Sequence, residues 1–156
     1  MKKYAKIITA VLLVSLLALT FVACIDPDND NQGAMTLVVL NGDDAKEYAV
    51  DLAKIPSDSD STGLMAILDY LQKEGQLTYT AQDLGYGAYL TQVGDLKEGD
   101  GNYIYVYTDV ETDIDASYNA SQINYKNNSY TNSGVGASLM NIKDGCTIII
   151  TYISFG

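Results

Sequence analysis

Histidine, arginine and tryptophan are absent from this chain of 156 residues. Without histidine, the chain cannot form a Ser-His-Asp or Cys-His catalytic group or a histidine-ligated zinc site. Its nine basic residues are all lysines and stand against 20 acidic residues, which gives a net charge of −11. Such an acidic chain cannot neutralise phosphates, so we do not expect nucleic acid as a partner. These absences, with the lack of a glycine-rich phosphate loop, predict a protein that is not an enzyme.

Cysteine is scarce as well, and the first of the two, Cys24, follows a distinctive N-terminal segment. Three lysines near the start precede the uncharged run 7–22 and the small residue Ala23. This pattern is typical of an export signal, and a cysteine directly after the small residue indicates a lipoprotein. We therefore expect residues 1–23 to be a signal peptide that is removed and Cys24 to carry the lipid. The alternative is a plain anchor helix, although a span normally needs ~20 apolar residues.

The predicted leader determines where the rest of the chain should be. It implies an extracellular protein, anchored to the cell membrane through the lipid on Cys24. Removing the signal lysines lowers the net charge to about −14, so electrostatic attraction would not hold the protein at an anionic membrane. Residues 24–33 are polar and acidic and are interpreted as a spacer. Asp26, Asp28 and Asp30 resemble the start of a calcium loop, but the turn glycine that such a loop needs is missing. Residues 34–156 are then expected to form one folded domain.

One helix is predicted in this domain. Apolar residues recur at helical spacing within 62–74, and Ser61 or Thr62 can cap the start. Gly75 can end the helix, because glycine adopts the left-handed conformation that often follows a helix. The apolar stripe is expected to pack on a sheet.

The rest of the domain is predicted to be strands and turns. Asn41-Gly42 is a strong hairpin signal between the first two strands, and Asn127-Asn128 is a second turn. The last strand is almost continuously apolar, which favours a central position in the sheet. The predicted strands cover 36–40, 46–52, 77–80, 88–93, 102–108, 123–130 and 147–153. A hairpin, a packed helix and further strands predict an α+β fold, β-grasp-like, with a mixed or antiparallel sheet and one main helix on it.

The order of these elements, together with three local signatures, resembles the transcobalamin C-terminal-like domain family. The signatures are STGLMAIL at 61–68, GYGAYLTQVG at 85–94, and GVGAS at 134–138 followed by IKDG at 142–145. The resemblance covers residues 35–153. The family is common in surface proteins of Gram-positive bacteria and is similar to the C-terminal domain of vitamin B12 carriers. It therefore implies a β-grasp-like fold and cobalamin, or another corrinoid, as a possible ligand, with no cofactor required. Family members usually carry tryptophan in the strand at 102–108, where this chain has tyrosines.

Tyrosine is the abundant aromatic residue, with 13 tyrosines against two phenylalanines. Tyrosine combines a flat apolar ring with a polar tip, which suits ligand-binding faces and protein interfaces. Tyr103, Tyr105 and Tyr107 alternate onto one face of a predicted strand, and Tyr86 and Tyr89 lie in and just after a glycine turn. These five are the candidate ligand-binding residues, for a corrinoid, a glycan or a surface protein. The alternative is an ordinary sheet face that favours tyrosine for its β propensity, in a structural or adhesive surface module.

Four acidic residues alternate between positions 108 and 115, namely Asp109, Glu111, Asp113 and Asp115. In a strand they would lie on one face and repel one another unless they bound a cation such as calcium. In a loop they would be solvated, which is the favoured interpretation. Nothing in the sequence singles out two carboxylates for glycosidase chemistry.

The second cysteine, Cys146, leads into the last predicted strand. With Cys24 lipidated, no intramolecular disulfide can form. We interpret Cys146 as a small buried strand residue rather than as a nucleophile, because the residues that follow it are apolar.

Overall fold

The computed structural model describes residues 33–117 and 120–154. The predicted signal peptide, the lipid-attachment residue Cys24 and the spacer as far as residue 32 lie outside the described residues. The first described residue is Gly33, which has a φ of +106°. The Asp144 carboxylate accepts a hydrogen bond from the Ala34 N–H at 2.9 Å and so pins the start of the first strand.

The described residues form nine strands, one α-helix and two short 3₁₀-helices. The strands are β1 (Ala34–Asn41), β2 (Asp44–Asp51), β3 (Tyr79–Asp83), β4 (Ala88–Val93), β5 (Leu96–Lys97), β6 (Asn102–Thr108), β7 (Gln122–Tyr125), β8 (Asn128–Asn132) and β9 (Thr147–Ser154). The helix α1 covers Leu64–Lys73, and the 3₁₀-helices cover Leu52–Lys54 and Ala137–Leu139.

The strands form two sheets. The larger sheet has the order β2-β1-β9-β6-β8-β7, and the smaller sheet has the order β3-β4-β5. Only β1 and β9 are parallel; the other neighbours are antiparallel. The α+β class with one main helix and a mixed sheet is confirmed, but the second sheet was not anticipated. β9 lies in the middle of the larger sheet, as its apolar sequence predicted.

Helix α1 buries its apolar stripe, as its spacing predicted. Leu64, Ile67, Leu68 and Leu71 are each at most 1% exposed. Burying such a side chain contributes roughly 1.5–3 kcal/mol. Within the described part of the chain, no helix is long and apolar enough to cross a membrane.

The predicted start of α1 is wrong, whereas its predicted end is confirmed. Gly63 precedes the helix with a φ of +60°, and no side chain caps the first turn. The Thr62 hydroxyl instead donates to the carbonyl of Ser138 at 2.7 Å. Tertiary packing explains the difference, because a Cβ at position 63 would lie 2.8 Å from the carbonyl oxygen of Ala137. At the other end, Gly75 follows the helix with a φ of +69°.

Two apolar clusters lie on opposite faces of the larger sheet. The main core joins one face to α1 and to the smaller sheet, and it includes Leu37, Ile148 and Ile150. The second cluster contains Val38, Tyr107, Tyr130 and Ile149, and partly buried residues of β7 pack against it. The hairpin β7–β8 therefore covers one part of the opposite face. Its turn has positive φ at Lys126 and Asn127, one residue before the predicted turn.

Candidate functional site

A cleft of about 610 Å³ opens between β4 of the smaller sheet and β6 of the larger sheet. In the described residues no strand pairing joins these two strands. The buried side chains of Leu90 and Ile104 lie at the cleft, with exposed fractions of 2% and 4%. The volume falls within the ~300–1,000 Å³ that is typical of small-molecule sites. We call this feature the tyrosine cleft, because Tyr89, Tyr103 and Tyr105 line it.

The three tyrosines reach the cleft from both sheets. Tyr89 belongs to β4, while Tyr103 and Tyr105 belong to β6. The Tyr89 hydroxyl donates to the Glu98 carboxylate at 2.8 Å. Burial first, and then this hydrogen bond, raise the pKa of the Tyr89 phenol to about 12, and the phenols of Tyr103 and Tyr105 add to the effect. The three phenols are therefore near one another, and Tyr89 is neutral at physiological pH.

The other two predicted tyrosines lie elsewhere. Tyr86 is 72% exposed on the β3–β4 turn, between Gly85 and Gly87, and does not line the cleft. Tyr107 is 1% exposed and belongs to the second apolar cluster, where its hydroxyl lies 2.9 Å from that of Ser121. Tyr107 shares the strand face of Tyr103 and Tyr105, but β8 pairs with β6 only at Tyr107 and Thr108. The hairpin β7–β8 covers that end of the face, so a ligand cannot reach Tyr107.

Asn132 and Ser133 line one end of the cleft, and the sequence did not single them out. Asn132 is the last residue of β8, and Ser133 follows it. Val135, from the signature at 134–138, lines the same end. The Asn132 Nδ2 donates to the Asp115 carboxylate at 3.4 Å, whereas its Oδ1 is enclosed and has no hydrogen-bond partner among the described residues. The one sequence signal near Asn132 is the pair of glycines in the signature at 134–138. Glycines indicate a turn or a close approach of the backbone, and they do not predict that a neighbouring asparagine lines a cleft.

Two glycines set the position of the wall at this end. A Cβ at Gly136 would lie 2.7 Å from the Cα of Gly87, so the wall packs directly on the turn before β4. The Ser138 hydroxyl also accepts the N–H of Ala88 at 3.0 Å. Two of the three sequence signatures, at 85–94 and 134–138, therefore meet at the cleft.

The four alternating acidic residues do not share a site. The run is a loop rather than a strand. Asp109 accepts the N–H of Thr147 at 3.0 Å, and Asp115 accepts the N–H of Ser117 at 2.8 Å, while Glu111 is exposed. The hydrogen bond from the Ser117 backbone is the main cause that lowers the pKa of Asp115. Within the described ranges, no three acidic or cysteine side chains gather where they could hold a metal ion.

Asp113 differs from the other three because it is 1% exposed. It accepts hydrogen bonds from the Asn141 N–H at 2.6 Å, from the Asn141 Nδ2 at 2.5 Å and from the Thr112 hydroxyl at 3.1 Å. The solvated-loop interpretation is therefore wrong for Asp113. This carboxylate fixes the chain that follows the 3₁₀-helix Ala137–Leu139.

Cys146 is 3% exposed and has no disulfide partner among the described residues. Burial is the main cause that raises the pKa of its thiol above the ordinary range. The prediction of a small buried residue is confirmed, but Cys146 directly precedes β9 and does not belong to the strand. The raised pKa leaves little thiolate to act as a nucleophile.

Comparison with known proteins gives little to add to this geometry. No model of a known protein family matches the chain, and no curated protein sequence matches it either. A crystal structure of a "putative metal binding protein" from Ruminococcus gnavus ATCC 29149 is similar, with a TM-score of 0.47 and 14% sequence identity. The similarity covers 80% of this chain and 100% of that one. A likeness this distant does not indicate a ligand, so the function has to be argued from the cleft.

Proposed function

We propose that this protein is a lipid-anchored extracellular binding module, without catalytic activity, whose ligand docks in the tyrosine cleft. One observation carries the proposal: three of the five predicted tyrosines converge from two separate sheets on one cleft. Concave sites with aromatic walls and a few polar groups are the usual form of a small-molecule site. The domain provides no histidine and no gathered carboxylates in its described part, so the proposal is binding rather than chemistry.

We also propose that the fold is β-grasp-like and that the chain is a member of the transcobalamin C-terminal-like domain family. The order of hairpin, helix and further strands supports this proposal. The contact between Gly87 and Gly136 supports it too, because it brings two of the quoted signatures to the cleft. A cobalamin-type corrinoid is then the first ligand to test. It would dock on the tyrosine rings and backbone groups, without a histidine to ligate cobalt.

The proposed tether suits a cleft whose Tyr103 end lies away from the membrane. The described chain begins at Gly33, and Thr36 of β1 is in register with Thr147 at the start of β9. At the other end of β9, Ile153 is in register with Tyr103. Thr147 and Ile153 are six positions apart, or about 20 Å at ~3.3 Å per residue. A lipid on Cys24, followed by the short spacer, would therefore hold the domain near Thr147 and leave Tyr103 at the far end of the strand.

Calorimetric titration tests this proposal directly. The full chain, purified in detergent, is titrated with cobalamin and with cobinamide. We expect saturable micromolar binding that is lost in the double variant Tyr103→Ala/Tyr105→Ala. The matched control is Tyr86→Ala, which removes an exposed tyrosine outside the cleft. Binding that survives the double variant, or that is lost equally in the control, would show that the ligand docks elsewhere.

A second candidate function is a structural or adhesive surface module that binds a protein. The exposed residues Leu84, Tyr86 and Leu139 favour it, with exposed fractions of 41%, 72% and 58%. They lie on the β3–β4 turn and on the neighbouring 3₁₀-helix, and exposed apolar patches of this kind often mark interaction sites. Surface cross-linking on intact cells, with wild type and with Tyr86→Ser/Leu139→Ser, distinguishes the two functions. A specific cross-linked protein that is lost only in this variant would favour the adhesive module.

A further inference from the structure

We infer that the ligand of the tyrosine cleft is an uncharged, hydroxyl-bearing ring of the pyranoside class, such as one unit of a neutral glycan. This inference rests on the proposed function, because it names the ligand class of the same cleft. It is argued from three properties of the described residues: the absence of charge in the lining, the closure of the β6 edge on both sides of Ile104, and the polar groups that face a bound ring.

The lining of the cleft carries no charged side chain. Its described residues are alanine, tyrosine, leucine, isoleucine, valine, asparagine, serine and glycine. Two carboxylates that contact lining residues are already engaged, since Glu98 accepts the Tyr89 hydroxyl and Asp115 accepts the Asn132 amide. An anionic ligand would have no cation to meet here and would approach a chain of strong negative charge. A cationic ligand would lose its hydration without gaining a direct charge partner. The lining therefore favours a neutral ligand.

Backbone hydrogen bonds close off the edge of β6 on both sides of Ile104. On one side, the Val106 carbonyl accepts the N–H of Ser133 at 2.7 Å. On the other, Asn102 and Gly99 exchange two backbone hydrogen bonds, at 2.9 and 3.1 Å. Ile104 lies two residues from Asn102 and two from Val106. Every second residue of a strand directs its backbone N–H and C=O to the same edge. Its N–H and C=O therefore face the cleft edge, where no described strand is in register with it.

This closure argues against an extended peptide as the ligand. A peptide that adds to a sheet edge gains its affinity from several consecutive main-chain hydrogen bonds. On the edge of β6, both backbone groups of Asn102 and the carbonyl of Val106 are already bonded within the protein, which leaves too few consecutive groups for such a peptide. A compact ring needs one donor and one acceptor from the backbone, together with flat surfaces to lie against.

The side chains supply the remaining contacts that a pyranose ring needs. Tyrosine rings present flat apolar surfaces to the C–H groups of a sugar, and Tyr103 is 44% exposed at the cleft. The Tyr89 hydroxyl gives its proton to Glu98, which leaves its oxygen as an acceptor. The enclosed Oδ1 of Asn132 lacks a donor in the described structure. An enclosed acceptor without a partner is costly. Because the Asn132 side chain borders the cleft, a rotation of its amide would bring Oδ1 to a sugar hydroxyl.

The experiment uses a panel of neutral oligosaccharides as the probe, with gluco, galacto, manno and N-acetylglucosamine ends. Matched acidic oligosaccharides that end in a uronic acid form the comparison set, and cobinamide is included. Binding to the full chain in detergent is measured by saturation-transfer NMR and calorimetry. We expect at least one neutral sugar to bind saturably, at least tenfold more tightly than its acidic counterpart. Affinity should fall at least tenfold in Tyr103→Ala and in Asn132→Ala and should be unchanged in Tyr86→Ala.

The outcomes separate this inference from the proposed function. Binding of cobinamide without any neutral sugar would overturn the inference and leave the binding module standing. Silence towards both ligand classes would overturn the inference and argue against the cleft as a binding site. Equal binding of neutral and acidic sugars would also overturn it, because the uncharged lining would then not select the ligand. Circular dichroism of each variant is the control that tests whether the variant is folded. Tyr103→Phe, which keeps the ring, should retain most of the affinity of the wild type.

Discussion

Replacing Asp113 with alanine should destabilise the fold strongly, although the residue lies in a loop. The carboxylate is almost completely buried and accepts three hydrogen bonds from Asn141 and Thr112. Two of these donors belong to Asn141, which lies two residues after the 3₁₀-helix Ala137–Leu139. The bonds therefore tie two loops that are distant in the sequence.

The size of the effect follows from what the variant leaves behind. A typical intramolecular hydrogen bond contributes about 1 kcal/mol, and Asp113 accepts three of them. In Asp113→Ala the Asn141 N–H loses its 2.6 Å acceptor, and the side chains of Asn141 and Thr112 lose a partner each. We expect a loss of about 3 kcal/mol in the free energy of unfolding. For a domain of this size the corresponding fall in Tm is roughly 10 °C.

Urea unfolding followed by circular dichroism measures this loss, and Glu111→Ala is the matched control. Glu111 lies two residues away in the same loop and is exposed, so its replacement should change stability by less than about 0.5 kcal/mol. A loss below about 1 kcal/mol in Asp113→Ala, or an equal loss in both variants, would refute the argument from buried hydrogen bonds. A calcium-dependent rise in the Tm of the wild type that is absent in Asp113→Ala would refute the purely structural role.

Three further predictions concern the cleft and the core. Gly136→Ala should cost about 1–3 kcal/mol of stability by overpacking against Gly87, measured by thermal unfolding; an unchanged Tm would contradict the close contact. The pKa of the Tyr89 phenol is raised to about 12 in the folded state, above the value of about 10 for an unfolded chain. The neutral phenol therefore stabilises the fold below about pH 10, and this stabilisation is lost as the pH rises towards 12. Unfolding experiments from pH 9 to 12 should therefore show a smaller loss of stability in Tyr89→Phe than in the wild type. The thiol of Cys146, buried and with a raised pKa, should resist iodoacetamide in the native state and react in urea; rapid labelling of the native protein would contradict its burial.

The sequence predicted much of the local structure, because local structure depends on periodicity and turn residues. Helix α1 ends just before Gly75, as predicted, and buries the stripe that its spacing indicated. The limits of β4 and β6 agree with the predicted strands at 88–93 and 102–108. The start of α1 was missed because packing against the carbonyl of Ala137 requires glycine at position 63. A helix-capping pattern is read from neighbouring residues, so it cannot predict a contact with a residue more than 70 positions away.

The candidate site could be predicted only in part. The alternation of β6 placed Tyr103, Tyr105 and Tyr107 on one face, and the strand follows that pattern. Which portion of the face remains open depends on the hairpin β7–β8, which covers Tyr107 and leaves the cleft beside the other two. Asn132 reaches the same cleft from β8, and no sequence pattern marks it.

The sequence by itself determined the charge of the chain, the chemistry that it lacks, the apolar stripe of α1 and the alternating faces of its strands. These properties are composition or follow from the fixed repeats of helix and strand. Only the tertiary structure decided that the strands divide into two sheets, that Tyr89 meets Tyr103 and Tyr105 across a cleft, and that Asp113 is buried. The physical reason is that these outcomes depend on which distant segments cover a given surface, and local periodicity does not specify that.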